Sequence, residues 1–130
     1  MLVRDWMTHD PVSVGPTTPL IEVYRIFKEY EIRHLPVVER GHIVGIITDH
    51  DLGRAILHAA ADGAPRTVSD AMSHPVRFVH AGDRIEDAAL LMHNHKLGGL
   101  PVVDDTGNLV GILTIQDLLE ILIAELSRNR

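Results

Sequence analysis

The sequence contains no cysteine and few aromatic side chains: its 130 residues include one Trp, two Tyr and two Phe. Without Cys there is no disulfide, no Cys-ligated zinc and no thiol nucleophile. No apolar run approaches the roughly 20 residues that span a bilayer, and residues 1–6 lack the long apolar core of a signal peptide. We therefore expect a cytoplasmic protein with no membrane-spanning segment.

Positive charge is also scarce. Lys and Arg total 12 against 18 Asp and Glu, which gives a formal net charge of −6 at pH 7. Nonspecific binding to a phosphate backbone needs a basic face, so we expect no nucleic-acid partner. The hydrophobic fraction of 45% and the charged fraction of 23% are typical of a globular chain, and a chain of this length buries about 65–70% of its unfolded surface.

What the sequence does contain is an internal repeat. Leu-Pro-Val-Val at residues 35–38 recurs at residues 100–103, and Val-Gly-Ile at 44–46 recurs at 110–112. The register holds along the chain with one added residue in a turn, which indicates a duplicated unit. We assign the chain to motif 1 at residues 1–61, a linker at 62–67 and motif 2 at 68–130.

Each motif is predicted to have the element order β-α-β-β-α. Apolar stripes with helical spacing begin near Leu20 and Ile85, and we expect Thr18 and Asp83 to cap these helices. The fold class is α+β, an α/β sandwich-like arrangement of two motifs packed by a pseudo-two-fold axis. The predicted strands are 12–14, 35–39, 43–48, 76–79, 100–104 and 109–114, and the predicted closing helices are 49–61 and 115–127.

This order of motifs resembles a tandem pair of cystathionine-β-synthase (CBS) domains. The likeness covers residues 3–122 and rests on the duplication and spacing of short motifs rather than on any one of them. The matching segments are Asp5-x-Met7, Pro36-Val37-Val38 and residues 45–52 in motif 1, and Asp70-x-Met72, Pro101-Val102-Val103 and residues 111–118 in motif 2.

The resemblance implies a regulatory module rather than an enzyme. CBS pairs sense adenosine-containing ligands, here AMP, ADP, ATP or S-adenosylmethionine, in clefts between the two motifs, and alter the conformation of a partner. The resemblance also implies a homodimer and an effector protein that the sequence does not identify. Because the repeat fills nearly the whole chain, we expect a stand-alone pair. The sequence has no Gly-x-Ser-x-Gly elbow and no P-loop, which agrees with a non-catalytic role.

Two interpretations of the Thr-x-x-Asp sequence stay open, at Thr48 with Asp51 and at Thr114 with Asp117. In one, the Thr caps the following helix and the acid interacts with the helix dipole. In the other, the helix N-terminus and the Thr hydroxyl bind a phosphate, while the Asp carboxylate accepts hydrogen bonds from both hydroxyls of a ribose. We favour the ribose role for at least one copy.

The adenine base of such a ligand needs a flat apolar slot. The resemblance places the two prolines of Pro-Val-Val at the cleft, whereas core packing is the alternative interpretation for the valines. The candidates are Val12, Val14 and Pro36 in motif 1, and Val76, Val79 and Pro101 in motif 2.

The two copies differ where a phosphate would bind. Motif 1 is the more basic, so we predict that its site prefers a phosphorylated ligand and that the second site binds weakly or takes a less anionic adenosyl ligand. The alternative is that Arg33 and Arg54 are only solvated. The differing positions are Arg33, His34 and Arg54, which align with Gly98, Gly99 and Glu120.

Nine His residues invite a metal interpretation. No pair of them has the His-x-x-x-His spacing next to a Glu, so no dedicated metal site is predicted. Asp49, His50 and Asp51 can nevertheless ligate a Mg²⁺ that accompanies a bound triphosphate.

A second hypothesis is a protein-interaction or dimerisation scaffold with vestigial clefts. A helix that is apolar around most of its girth is buried on more than one side, and a spare apolar face indicates a dimer interface. Both hypotheses use this face, so it does not discriminate between them. The final helix has this character, with Leu118, Leu119, Ile121, Leu122, Ile123 and Leu126.

Overall fold

A computed structural model describes residues 1–64 and 66–128. Pro65 of the predicted linker and residues 129–130 of motif 2 lie outside the described residues. The elements are a 3-10 helix at Val3–Asp5, the α-helices α1 Leu20–Tyr30, α2 Asp49–Asp62, α3 Val68–Ala71, α4 Ile85–His95 and α5 Ile115–Arg128, and the strands β1 Thr8–His9, β2 His34–Glu39, β3 His42–Thr48, β4 Val79–His80, β5 Gly99–Val103 and β6 Leu109–Thr114. The predicted α+β class is confirmed.

The chain forms two compact units that do not follow the sequence repeat. The first unit is residues 12–76, and the second unit is residues 1–11 together with residues 77–130. Each unit therefore contains the hairpin of one motif and the opening segment of the other motif. In the described part of the chain, no helix is long and apolar enough to cross a membrane.

The second unit contains a four-stranded sheet in the order β1-β6-β5-β4. β5 and β6 form an antiparallel hairpin in which Gly99 lies opposite Thr114. β4 adds in parallel to one edge, and β1 adds antiparallel to the other, with Thr8 opposite Ile112. The core of this unit includes the fully buried Val3, which comes from the opening segment of motif 1.

The first unit repeats this arrangement with shorter edges. β2 and β3 form the hairpin. At its two edges, Val14 makes a single bridge to Val37 of β2, and Ser73 makes a single bridge to Ile46 of β3. These bridges take the places of β4 and β1. The fully buried Val68 contributes to the core of this unit, and it comes from the opening segment of motif 2.

The two short predicted strands are partly wrong. Residues 12–14 make only the bridge at Val14, since the neighbouring Pro11 and Pro16 lack the backbone N–H that would extend a ladder. The strand predicted at 76–79 is instead Val79–His80, whose partners Val102 and Val103 are the last residues of β5. The other predicted strands and both closing helices agree with the structure to within one residue at each end.

The predicted helix caps are also wrong. α1 and α4 begin after Pro19 and Arg84, neither of which makes a side-chain cap. The Thr18 hydroxyl accepts instead from the Gly15 N–H at 3.2 Å, and an Asp83 carboxylate oxygen accepts from the His80 N–H at 2.9 Å. Both side chains therefore close the turn before the helix, which is the competing use of Thr and Asp oxygens.

Each hairpin has a glycine that is covered by a methionine from an Asp-x-Met segment. A Cβ placed on Gly45 would lie 2.6 Å from Met72 Sδ and 3.2 Å from the Ser73 carbonyl oxygen, and a Cβ on Gly111 would be still closer to Met7 Sδ. Met72 belongs to motif 2 and Gly45 to motif 1, while Met7 and Gly111 reverse this relation. The absence of a side chain at the two glycines thus allows the exchanged segments to pack.

We expect Gly45→Ala to lower the free energy of unfolding by about 1–3 kcal/mol, because overpacking a filled site forces its neighbours to move. Combining it with Met72→Ala should cost less than the sum of the two single changes, with an interaction energy of about 0.5–3 kcal/mol in a denaturant double-mutant cycle.

Gly53→Ala is the matched control for this cycle. Gly53 lies within α2, and a Cβ there has no atom within 4 Å, so alanine should be neutral or stabilise the helix by up to about 1 kcal/mol. Additive effects of Gly45→Ala and Met72→Ala would contradict the packing argument.

Candidate functional site

The N-terminus of α2 is closed by a reciprocal pair of hydrogen bonds. The Asp51 N–H donates to Thr48 Oγ1 at 3.1 Å, and the Thr48 N–H donates to Asp51 Oδ2 at 3.0 Å. The capping interpretation of Thr48 and Asp51 is therefore confirmed. It leaves open whether the same residues bind a ligand.

The burial of Asp51 separates this cap from the similar ones in the chain. The same closure, in which a backbone N–H donates to an Asp three residues later, joins Leu2 to Asp5 and Thr67 to Asp70, and both of these carboxylates are exposed. Asp51 is only 6% exposed. Because a buried charge is costly unless it is paired, the surroundings of Asp51 must supply more than a cap.

Arg54 supplies that pairing. Its Nη2 donates to Asp51 Oδ1 at 3.0 Å, so both carboxylate oxygens are engaged, one by the Thr48 backbone and one by the guanidinium. The Arg54 side chain is 58% exposed. The ion pair therefore joins a fixed, buried carboxylate to a cation that reaches solvent.

The chain preceding β2 is tied to the same helix end. The Asp49 N–H donates to the Arg33 carbonyl oxygen at 3.1 Å, and His34 lies opposite Thr48 in the hairpin register. Arg33 is exposed and His34 is half-buried. The structure thus gathers Arg33 and His34 at the end of the hairpin where Thr48 begins α2.

Burial lowers the pKa of His34 below its ordinary value of 6.5. The Asp49 carboxylate opposes this shift, the Arg33 guanidinium adds to it, and Asp51 opposes it more weakly. Desolvation disfavours the charged imidazolium, so His34 is neutral at pH 7 and offers a hydrogen bond rather than a positive charge.

The apolar candidates of the first unit belong to its core. The Val14 N–H donates to the Pro36 carbonyl oxygen at 3.1 Å, Val14 is 8% exposed and Pro36 is among the fully buried residues. Val12 is half-buried and packs against the same cluster. Core packing is therefore the role that the structure shows for these residues, and contact with a base stays a prediction.

The second unit places its candidate residues in the same relation. Thr114 begins α5 opposite Gly99, as Thr48 lies opposite His34. The Asp117 Oδ2 accepts from the Thr114 N–H at 2.8 Å and from the Thr114 hydroxyl at 3.3 Å. Pro101 is buried in β5.

Two valines complete the predicted second set. Val79 is 6% exposed and belongs to the core of the second unit. Val76, which the sequence grouped with it, belongs to the first unit and is half-buried.

No metal cluster supports the magnesium expectation. Among the described residues, no three His, Asp or Glu side chains lie close enough to hold an ion. Asp49 Oδ1 accepts from the His50 N–H at 2.9 Å, and both oxygens of Asp51 are engaged. Any Mg²⁺ would therefore have to be held chiefly by a triphosphate.

A cavity that the sequence did not predict lies between α1 and α2. Its volume is about 630 Å³, and it includes Arg33 of the predicted nucleotide-binding residues and Asp49 of the predicted Mg²⁺ ligands. The Lys28 ammonium lies 5.5 Å above the Tyr24 ring at its wall. Tyr24 and Phe27 follow Leu20 at helical spacing in the first apolar stripe, but nothing in the sequence indicated a gap beside them. The lining residues are Tyr24, Phe27, Lys28, Glu31, Ile32, Arg33, Asp49, Leu52, Gly53 and Ile56.

The lowered pKa of His34 predicts a pH-dependent stability. The unfolded chain binds this proton at about pH 6.5 and the folded chain only at lower pH, so the free energy of unfolding should fall as the pH drops through 6.5 and level off below the folded pKa. Above pH 6.5 this contribution is constant. Chemical denaturation at pH 7.5 and 5.5 should therefore show a smaller pH difference for His34→Gln than for the wild type.

Asn94→Gln, which replaces an exposed side chain on α4 that does not titrate, is the control for this measurement and should leave the pH difference unchanged. An equal pH difference in the wild type and in His34→Gln would show that His34 does not contribute.

The chain is similar to solved pairs of CBS domains. It aligns with the CBS domain pair of protein MJ0100, solved in complex with 5′-methylthioadenosine and S-adenosyl-L-methionine, at a TM-score of 0.86 and 29% identity, covering 96% of this chain and 98% of that one. It aligns with CBSX2 in complex with AMP at a TM-score of 0.81 and 29% identity, covering 99% and 98% of the two chains.

Curated relatives agree with the structures. The CBS domain-containing protein YhcV of Bacillus subtilis is 34% identical over 116 residues, which are 89% of this chain and 81% of that protein. Three other relatives, 31%, 34% and 32% identical, are longer, and the chain spans 22%, 23% and 38% of their lengths.

The family model for the CBS domain matches the chain twice, at residues 3–58 and at residues 68–124. The matches start two residues before the Asp-x-Met segments and end within α2 and α5. The chain belongs to the CBS domain family, and it carries the domain in two copies.

Proposed function

We propose that this protein is a regulatory module that binds adenosine-containing ligands at the N-termini of α2 and α5 and, on binding, alters the conformation of an effector protein. The observation that carries the proposal is the buried carboxylate of Asp51, fixed by Thr48 at the start of a helix. AMP, ADP, ATP and S-adenosylmethionine are the candidate ligands.

The chemistry of this helix end suits a ribonucleotide. The partial positive charge of a helix N-terminus favours a phosphate. In the structure the Asp49, His50 and Asp51 N–H groups donate to protein acceptors, so a phosphate would replace one of these acceptors. A carboxylate that is held in one orientation accepts from two adjacent hydroxyls without first being ordered. Two structural neighbours were solved with AMP and with 5′-methylthioadenosine and S-adenosyl-L-methionine, which supports the choice of ligand class.

The proposed binding residues divide by the part of the ligand that they would contact. Asp51 and Asp117 bind the ribose, and Thr48, Thr114 and the more basic surroundings of the first copy bind phosphate. The base is assigned to the apolar residues at the hairpin. The proposed set is Thr48, Asp51, His34, Pro36, Val12, Val14, Arg33 and Arg54 in one copy and Thr114, Asp117, Gly99, Pro101 and Val79 in the other. Val76 is left out of the second set because it belongs to the first unit.

A scaffold without ligand is the second candidate, and it would use the same exposed apolar face of α5 as the ligand-sensing module. On α5, Ile121 is buried, whereas Leu122 is 51% and Ile123 and Leu126 are each 61% exposed. In the single chain this helix therefore has the spare apolar face that the sequence predicts, and the dimer stays a prediction. We propose that a second copy of the chain covers this face in a homodimer.

We expect AMP or S-adenosylmethionine at 100 times its dissociation constant to raise the free energy of unfolding by about 2.7 kcal/mol. Asp51→Ala or Asp117→Ala should weaken binding of the ligand at that copy by roughly 10- to 100-fold, since each removes hydrogen bonds to a charged acceptor. Thermal shift with a panel of AMP, ADP, ATP and S-adenosylmethionine, followed by calorimetric titration of each variant, measures both effects.

Asp70→Ala separates binding from capping. Asp70 accepts from the Thr67 N–H at 3.0 Å in a cap outside the proposed sites, so its loss should cost a similar cap energy of about 0.5–2 kcal/mol and leave affinity unchanged. No shift with any ligand would favour the scaffold, and equal affinity in all three variants would remove the ribose assignment.

The homodimer has its own test. The wild type should show twice the 14.4 kDa chain mass in light scattering, and Ile123→Lys should return it to the chain mass, because a buried unpaired charge opposes association. Lys28→Glu, an exposed change on α1, is the charge-change control. A monomeric wild type at micromolar concentration would contradict the proposed dimer.

A further inference from the structure

The two proposed ribose-binding carboxylates are paired differently. Asp51 Oδ1 accepts from Arg54, whereas both hydrogen bonds to Asp117 end on its Oδ2. Within residues 1–64 and 66–128, Asp117 Oδ1 has no hydrogen-bond partner. Arg54 stands one turn after Asp51, and the residue at the same place after Asp117 is Glu120.

We infer that Arg54 makes the first copy selective for a phosphorylated ligand. On binding, the guanidinium would leave Asp51 and pair with the phosphate of the ligand. In the structure, Arg54 donates to Asp51 Oδ1, so a ribose diol that binds both carboxylate oxygens competes with the guanidinium for Oδ1. A ligand with a phosphate gives Arg54 a new anionic partner as the ribose takes its place on Asp51. This inference rests on the proposed function and names the residue that selects between phosphorylated and neutral ligands.

The burial of Asp51 makes this exchange selective. A carboxylate that is 6% exposed loses a charged partner at high cost, and neutral hydroxyls replace that partner only in part. A nucleoside without a phosphate would therefore displace Arg54 from Asp51 and offer the guanidinium no other anionic partner. A phosphate restores the charge pairing, since its oxygens accept two parallel N–H bonds from a guanidinium.

The exposure of Arg54 makes the exchange possible. Its side chain is 58% exposed and makes its charge contact only with Asp51 among the described residues. Rotation of the side chain therefore breaks one ion pair. Arg54 also stands one turn from the N-terminus of α2, whose partial positive charge favours a phosphate.

The second copy should prefer a ligand without a phosphate. Asp117 Oδ1 needs no displacement, so a ribose can bind it directly, and Glu120 at the equivalent of Arg54 repels a phosphate. We therefore assign to this copy an adenosyl ligand that is neutral or cationic beside the ribose. The two copies then sense ligands of different charge with the same Thr-x-x-Asp frame.

The test compares AMP with adenosine in the full chain carrying Asp117→Ala, so that titration calorimetry reports the first copy. We expect Arg54→Met to lower the ratio of AMP affinity to adenosine affinity by roughly tenfold or more, the size of a lost charge-assisted hydrogen bond. Adenosine should bind as tightly as before or more tightly, because its competitor for Asp51 is gone.

Arg25→Met is the matched control, since Arg25 also pairs with an acid three residues away, Glu22, at 3.2 Å on the surface of the first unit. It should leave the ratio unchanged. The reverse variant, Glu120→Arg in an Asp51→Ala background, should raise the ratio of AMP to adenosine affinity at the second copy, and it keeps the test valid if Arg54→Met proves unstable.

Two outcomes overturn the role of Arg54 alone. If Arg54→Met weakens AMP and adenosine by the same factor, Arg54 only positions Asp51, and if it changes neither affinity, Arg54 is a surface residue. If neither AMP nor adenosine binds the chain before Arg54 is changed, the proposed function fails and the inference fails with it.

Discussion

The fit of a methionine against a bare glycine is the contact on which the rest of this structure depends. Gly45 and Gly111 lie in the middle of the central strands β3 and β6, and any side chain there would displace Met72 or Met7. The methionine anchors a short segment along the hairpin and brings a fully buried valine, Val68 or Val3, into each core. The hairpin in turn fixes the helix start at Thr48 or Thr114.

Local features of the fold could be predicted from the sequence because local chemistry determines them. The hairpins and closing helices follow from apolar runs and turn residues, and α2 and α5 end within one residue of the predicted bounds. The edge strands could not be predicted, because a two-residue strand such as Val79–His80 exists only where the end of β5 offers a partner. The exchange of opening segments was invisible for the same reason, since the repeat gives the order of elements and not their partners.

The candidate site shows the same division. The sequence placed Thr48 and Asp51 at a helix start, and their spacing alone is sufficient for the cap. It did not show that Asp51 is buried while the similarly capped Asp70 is exposed, because burial depends on what packs over the helix end. The pairing of Asp51 with Arg54 is an interaction of neighbours on one helix face, but its importance follows from that burial. The sequence shows Arg54 in one copy and Glu120 in the other. Only the structure shows that Arg54 pairs with a buried carboxylate.

The division of the chain into units also sets an order of events during synthesis. Residues 12–76 emerge as a continuous stretch and contain every strand and helix of the first unit. Residues 1–11 emerge before them, yet their partner β6 follows residues 12–76 in the chain. Val3 and Met7, both buried in the folded protein, therefore remain without their native cover until β6 has been made. Residues 1–11 are thus made before the first unit and placed after it, and in this interval the nascent chain is exposed to misassociation.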